Sequence, residues 1–455
     1  MKDSELIMPC LQQIVNFFSS DKIEQIAKET SFVKRKRKLS PLVFLGLFTF
    51  GLIQKADATL VQLVSIAKRI APSFFISPQG LHKRINKRAV EFLKRTRALS
   101  LQLRVDADQT LVPMFEPFGK VHLLDSSYIA LPKEVEQRFA ASGGSNQKAG
   151  AKIQLMVDYK TGNFSHLWLT DAISPDQKQI PTAIKQIESG DLILFDLGYF
   201  SQETLKTVAD LDAFFLCLLK TQTNLYLKKD AREIPIDLIE FLNSQPTEII
   251  TEVSIFVGKK AKTPCRLIIQ PLSSDAVNRR RRRVKATAKR KGRTVSHRQL
   301  SLCNWGLYLT NVCANVFATC VVPTVYSLRW QIELVFKGIK SHLGFECILG
   351  KREARVECQL YGRLIGMVLS LCLTGQFRQQ LWESEGRQLS LLKSFAHLPL
   401  VAPMILKDLL KPQLLLSTLV EIAEEMMTLC RMDKRRKRFS TAELLRAATT
   451  EGANG

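Results

Sequence analysis

Between residues 121 and 220 short apolar runs alternate with helical segments, and few architectures accommodate that order. VHLLDSSYIALP (121–132) reads as a β run with an aspartate after its apolar start. IQLMVDYKTGNFSHLWLTDA (153–172) reads as a hairpin turning at Lys160, Thr161, Gly162 and Asn163. A helix is expected near 176–188, then the buried strand of DLILFDLGYF (191–200) ending at Asp196. The helix SQETLKTVADL and the strand AFFLCLLK (213–220) complete the pattern. Strand, hairpin, helix, strand, helix, strand is a mixed α/β layer.

The flanks differ in character. Residues 1–115 read as a helical region, with the basic cluster KRKRK at 34–38. Its apolar run PLVFLGLFTFGLI (41–53) is shorter than the roughly 20 residues a bilayer span needs, and is expected as a buried helix. Residues 77–95 read as one capped amphipathic helix, with Ser77 as N-cap and Pro78 at the first helical position. Leu81, Ile85, Val90 and Leu93 give it a buried side, and Lys83, Arg84, Lys87 and Arg88 a basic face expected to touch DNA. Residues 116–220 form the first part of the core. Residues 221–320 read as a β-rich insertion with its own small sheet and an extended basic segment, 279–298, holding 11 Lys and Arg in twenty positions. Residues 321–375 return to the core, and 376–455 read as a C-terminal helical region, a possible dimer interface, with a last basic cluster at 434–438.

Lys and Arg number 66 against 42 Asp and Glu, a net +24, which calls for a polyanionic partner: nucleic acid first, an anionic membrane surface second. The basic runs lack an attached lipid-facing amphipathic stretch, so no membrane partner is expected. No secretory signal is visible in the first sixteen residues. Ten scattered cysteines, without a C-x-x-C pair, suit a reducing cytoplasm.

The chemistry concentrates in YSLRWQIELVFKGIKSHLGF, residues 326–345, which reads as a single helix. At roughly 100° per residue, Tyr326, Arg329, Glu333 and Lys340 fall within about 60° of one another on one stripe. Leu328, Ile332, Val335 and Ile339 form the face that would pack on a sheet. Asp125 and Asp196 each emerge where a buried strand is expected to end. Three carboxylates in a basic protein suit divalent metal, Mg²⁺ above all, and two such ions can serve phosphodiester chemistry. Taken singly, each residue also has a plain reading: Arg329–Glu333 and Glu333–Lys337 as i, i+4 pairs, and the aspartates as turn caps. Asp158, Asp171, Asp176 and Asp191 lie in turns or at a helix start and are expected to cap. His122 and His166 are expected in core or surface positions, and Lys148 and Lys152 as solvated or phosphate-contacting lysines.

Together these residues resemble the IS4 group of insertion-sequence DDE transposases. In that family the glutamate lies in a Tyr-x2-Arg-x3-Glu-x6-Lys motif, which Tyr326, Arg329, Glu333 and Lys340 match without a gap. The first acid follows a short apolar strand, as Asp125 does, and the second precedes a small–aromatic pair, as in Asp196-Leu-Gly-Tyr-Phe. The resemblance covers roughly residues 30–375. It implies a ribonuclease-H-like core interrupted by the β-rich insertion, with Asp125, Asp196 and Glu333 as catalytic metal ligands for two Mg²⁺ ions, Mn²⁺ substituting. It also implies that Arg329 and Lys340 grip phosphates near a transposon end and that Tyr326 bonds a phosphate on the uncut strand. Trp305, twenty-one residues before Tyr326, would stack an extruded base.

The activity implied is metal-dependent cleavage at transposon ends and strand transfer into target DNA, cut-and-paste with a hairpin intermediate. The protein would act as a homodimer on double-stranded DNA in a bacterial cytoplasm. Arg279, Arg280, Arg281, Arg282 and Arg283 are expected to add phosphate contacts. The residues also admit two rivals: a catalytically silent transposase-derived DNA-binding regulator, and a structure-selective nuclease without strand transfer.

Overall fold

The computed structural model describes residues 2–19, 21–33, 39–73, 75–103, 112–143, 147–228, 234–433 and 443–445; the basic clusters 34–38 and 434–438 lie outside them. Two compact units are built from interleaved segments. One comprises Met1–Gln109, Ser126–Ser174 and Gln331–Arg436; the other comprises Thr110–Asp125, Pro175–Trp330 and Lys437–Gly455.

The first unit holds the later part of β1 (Val121–Leu131), β2 (Ala140–Gly143), β3 (Gln147–Asp158) and β4 (Phe164–Asp171). β3 and β4 form the expected antiparallel hairpin, Ile153 facing Leu169 and Leu155 facing Leu167. Gly162 turns it with φ +78°, a conformation a side chain would disfavour. The apolar run 41–53 is helical as expected: Pro41–Gly46 passes through one π turn, Leu47–Gly51, into Leu52–Gln54, and Phe44, Phe48 and Phe50 are buried. The helix Glu353–Glu385 is long and apolar enough to cross a membrane, yet 94% of its apolar window is buried inside protein, against Lys87–Ser100 among others. It is a core helix.

The second unit holds the start of β1 with β5 (Leu192–Phe195), β6 (Phe214–Leu218), β7 (Leu225–Tyr226), β8 (Thr251–Val257), β9 (Thr263–Pro271) and β10 (Trp305–Thr310). β1 runs parallel to β5, and β5 parallel to β6. β10 then lies antiparallel to β6 and to β9, and β9, β8 and β7 follow as antiparallel neighbours. The strands of 221–320 therefore extend the core sheet instead of forming a small sheet of their own. β10 explains this: all six of its residues are buried, so both of its edges must find partners. The mixed α/β class expected from the sequence holds.

Three local expectations are corrected. Residues 77–95 are two helices, Pro78–Arg84 and Lys87–Ser100. Ser77 caps the first as expected, but Ile85 is extended and the Asn86 side chain caps the second, accepting from the N–H groups of Arg88 and Ala89. Leu81, Ile85, Val90 and Leu93 are nonetheless all buried. Residues 326–345 are not one helix either. Val322–Ser327 ends in a turn at Leu328 and Arg329 whose N–H groups bond three residues back, and Trp330–His342 follows. The first part of the basic segment is helical, Ser274–Arg290, where an extended run was expected over 279–298; residues 291–296 are turn and loop. Arg, Lys and Ala are strong helix formers, and Asp275 in the first turn with Lys289 and Arg290 in the last complement the helix dipole.

Candidate active site

The pairing of β1 with β5 sets the site's geometry. Its register runs from Val121 opposite Leu192 to Leu124 opposite Phe195. Asp125 and Asp196 are the next residues on these neighbouring strands, which lie about 4.8 Å apart. Their backbones leave the paired region side by side, behind the fully buried Leu124 and Phe195. Asp125 does not end its strand, since β1 continues to Leu131; it marks where pairing with β5 stops. Asp196 does leave the strand, capping the turn Leu197–Tyr199 by accepting the Leu197 N–H at 2.7 Å.

A buried pair holds that register. His122 on β1 meets Asp191 just before β5, Nε2 to Oδ2 2.9 Å, with both side chains at 2% exposure or less. Asp191 also accepts the N–H groups of Lys120 (2.8 Å) and Glu188 (3.0 Å). Burial pushes the Asp191 pKa up, but the bonds from His122, Glu188 and Lys120 outweigh it and hold the carboxyl below its ordinary value. Asp191 caps, as expected, though from the core. Asp158 and Asp171 cap turns at Lys160 and Ser174.

Arg329 donates from Nη1 to Asp125 Oδ2 at 2.8 Å, in a pair whose side chains are 15% and 13% exposed. Its guanidinium carbon also stands 6.0 Å from the Tyr326 ring centre. The Tyr326 hydroxyl faces the Phe195 carbonyl at 3.5 Å, and its pKa is raised, chiefly by burial, against the opposing pull of Arg329. Tyr308 on β10, absent from the sequence-derived set, packs edge-on against Tyr326 at 5.6 Å and donates to Gln270 Oε1 at 3.0 Å. The only sequence signal for it was an aromatic residue in the otherwise aliphatic end of a buried strand. Asp125, Asp196, Arg329 and Tyr326 thus meet in the second unit.

Glu333 and Lys340 belong to the helix Trp330–His342 of the first unit, Glu333 in its first turn and Lys340 in its last, each half-buried. Burial lowers the Lys340 pKa, with partial compensation from Glu346. Leu328, Ile332, Val335 and Ile339 are buried as the periodicity required. Among the described residues no group of three or more His, Cys, Asp or Glu side chains is arranged to hold a metal ion. The donor chemistry at the end of the β1–β5 pairing nevertheless fits one, because two neighbouring carboxylates are the hard oxygen ligands Mg²⁺ prefers.

The remaining sequence-derived candidates separate by exposure. Trp305 opens β10 and is only 7% exposed. Arg279, Arg282 and Arg283 are exposed on the helix Ser274–Arg290. Arg280 donates to the Trp305 carbonyl at 2.6 Å, and Arg281 to Asn304 Oδ1 at 3.1 Å, so both engage the protein itself. Lys83, Lys87 and Arg88 are exposed, while Arg84 reaches the Phe32 carbonyl at 3.4 Å.

The family model for the transposase DDE domain matches residues 106–369, a span that contains Asp125, Asp196, Glu333 and Lys340. The chain is a DDE transposase of the IS4 family. The transposase for insertion sequence element IS231F of Bacillus thuringiensis subsp. israelensis is 30% identical over 406 residues, 86% of this chain and 85% of that protein. The transposase for IS1151 of Clostridium perfringens is 29% identical over 430 residues, 90% of each chain. The putative transposase InsL of IS186A from Escherichia coli K12 is 25% identical over 292 residues, 62% of this chain and 74% of its own. DNA cleavage and strand transfer are the general activity of such a transposase, and divalent metal ions its general cofactor.

Proposed function

We propose that this transposase moves its element by cut-and-paste, cleaving both strands at each terminal inverted repeat through a hairpin intermediate and joining the freed ends to target DNA. The observation that supports this reading best is the register that brings Asp125 beside Asp196, with Arg329 paired to Asp125. Asp125, Asp196 and Glu333 are the residues that would hold Mg²⁺, or Mn²⁺ in its stead, as two ions. When bound, such ions supply Lewis-acid activation of an attacking oxygen and stabilisation of a leaving one.

The protein's own residues do the rest. Arg329 and Lys340 bind phosphate oxygens and balance the carboxylates' charge, so that a polyanion can approach. Tyr326 donates its hydroxyl to a phosphate on the uncut strand; a pKa raised by burial keeps it a donor throughout neutral pH. Water attacks the phosphodiester first. The freed 3′-hydroxyl then attacks a phosphodiester of the opposite strand, closing a hairpin and releasing the flanking DNA with its own 3′-hydroxyl; water opens the hairpin, and the regenerated 3′-hydroxyl attacks a target phosphodiester, whose 3′-oxygen leaves. Trp305 stacks the base extruded at the hairpin, and because it is buried it must come partly out of the β10 face to do so.

Residues 1–115 with Lys83, Arg84, Lys87 and Arg88, together with the basic helix of the 221–320 insertion, bind duplex DNA. Residues 376–455 pair two copies, one per transposon end, and the protein works in a bacterial cytoplasm.

The test is cleavage of an end-labelled inverted-repeat duplex with and without Mg²⁺. Asp125→Ala, Asp196→Ala and Glu333→Ala should each abolish cutting while retaining end binding. Normal metal-dependent cutting by any one variant removes that residue from the site. Free cleavage products without strand-transfer species would indicate a nuclease, and binding without cutting by the unaltered protein a regulator.

A further inference from the structure

The helix Ser274–Arg290 has no buried residue, yet its exposure is two-sided. Val277, Arg281, Val284, Thr287 and Ala288 are the half-buried positions of residues 277–290, and they recur at helical spacing. Arg280 lies at the edge of that stripe and, with Arg281, is tied to the start of β10 through Trp305 O and Asn304 Oδ1. Just before the helix, the Leu272 N–H bonds the Asn304 carbonyl at 2.9 Å, fixing its root to the same residue. Arg279, Arg282, Arg283, Lys289 and Arg290 fall on the opposite side, all exposed. At about 1.5 Å per residue these five cations span about 16 Å of one helix face.

We infer that the five consecutive arginines divide by role: Arg279, Arg282 and Arg283, with Lys289 and Arg290, form a rigid phosphate-binding face for duplex DNA, whereas Arg280 and Arg281 clasp the helix to β10 and bind no DNA. This rests on the proposed DNA binding by the basic helix and deepens it. An unstructured basic run would use every cation interchangeably. A clasped helix presents one row at fixed spacing and leaves the other row bonded to the protein. Because one clasp ends on the Trp305 carbonyl, phosphates held by the outer face are registered to the strand that carries Trp305. A planar guanidinium suits the clasp, since it reaches a carbonyl or amide oxygen in a set direction.

The experiment compares two doubly substituted full-length proteins of equal net charge, Arg279→Gln/Arg283→Gln and Arg280→Gln/Arg281→Gln. Binding to a random-sequence duplex is measured across a salt series, and thermal unfolding is measured alongside. Each phosphate contact contributes about 0.9 to the log–log salt slope, so the first variant should lose about 1.8 with its melting temperature unchanged. The second should keep the slope and melt lower. Equal slope loss in both variants overturns the division of roles. An unchanged slope in both overturns the DNA-binding reading of the helix, and the division with it. Should the second variant fail to fold, Arg280→Lys/Arg281→Lys replaces it: lower melting with an intact slope supports the clasp, and wild-type melting overturns it.

Discussion

Replacing Asp191 with Asn tests whether the His122–Asp191 pair holds the register that brings Asp125 beside Asp196. The buried carboxylate accepts three hydrogen bonds, from His122, Lys120 N–H and Glu188 N–H. An asparagine amide keeps one acceptor oxygen and turns an NH2 toward the donors that remain. Stranding one buried N–H costs about 1–3 kcal/mol and losing a charge-assisted bond about 1.5–3 kcal/mol, about 2.5–6 kcal/mol together, and the middle of that range, about 3–5 kcal/mol, is the expected cost. At 1.36 kcal/mol per decade, amide protection of Leu192–Phe195 should fall about 150- to 5,000-fold. Hydrogen exchange read on peptides covering β1 and β5 measures this locally, which matters in a chain whose two units need not unfold together. The sign of the pH dependence follows from the depressed Asp191 pKa. Asp191's share of stability is fully present above its unfolded pKa of about 3.9 and is lost as pH falls through the lower folded value. The gap between wild type and variant should therefore persist from pH 8 to pH 5 and close in more acid solution. Protection unchanged at pH 7 would refute the assignment of the register to this pair.

Arg329→Gln should destabilise the protein by about 1.5–3 kcal/mol, because it takes a charge-assisted hydrogen bond from the Asp125 carboxylate in a mostly buried pair. An unshifted urea midpoint would mean that Asp125 is neutralised by other means. Trp305→Ala should slow hairpin closure by about one to two orders of magnitude while sparing the first nick, as a stack worth about 1–3 kcal/mol is lost. Single-turnover cleavage with nicked and hairpin species resolved is the assay, and equal slowing of both would leave Trp305 a core residue only. Gly338→Ala would drive a Cβ into the buried Phe395 ring, so overpacking of about 1–3 kcal/mol should exceed the gain in helix propensity. A rise in melting temperature would show that the helix Trp330–His342 shifts freely against Phe395.

Features that depend on short-range pattern were legible in the residues alone. The apolar runs before Asp125 and Asp196 specify buried strands, because continuous apolar character is stable only where both faces are covered. Ser77 with Pro78, and the periodicity of Ile332, Val335 and Ile339, specify a helix start and a buried helix face for the same kind of local reason. The ungapped spacing of Tyr326, Arg329, Glu333 and Lys340 carried the family. The structure decided what depends on partners far along the chain. Asp191 looked like an ordinary cap because its partner His122 lies 69 residues away. The turn at Leu328 and Arg329 was hidden because nothing in YSLRWQ opposes a helix, whereas Arg329 reaches an aspartate 204 residues earlier. The basic run suggested an extended segment because charge density says nothing of which cations already have protein acceptors, and Arg280 and Arg281 do. Hydrogen bonds between strands and the ion pairs they align are set by loop closure over tens to hundreds of residues. Local propensity carries no record of those distances, and so the pairing of β10 with β6 and of Arg329 with Asp125 became visible only when the chain was folded.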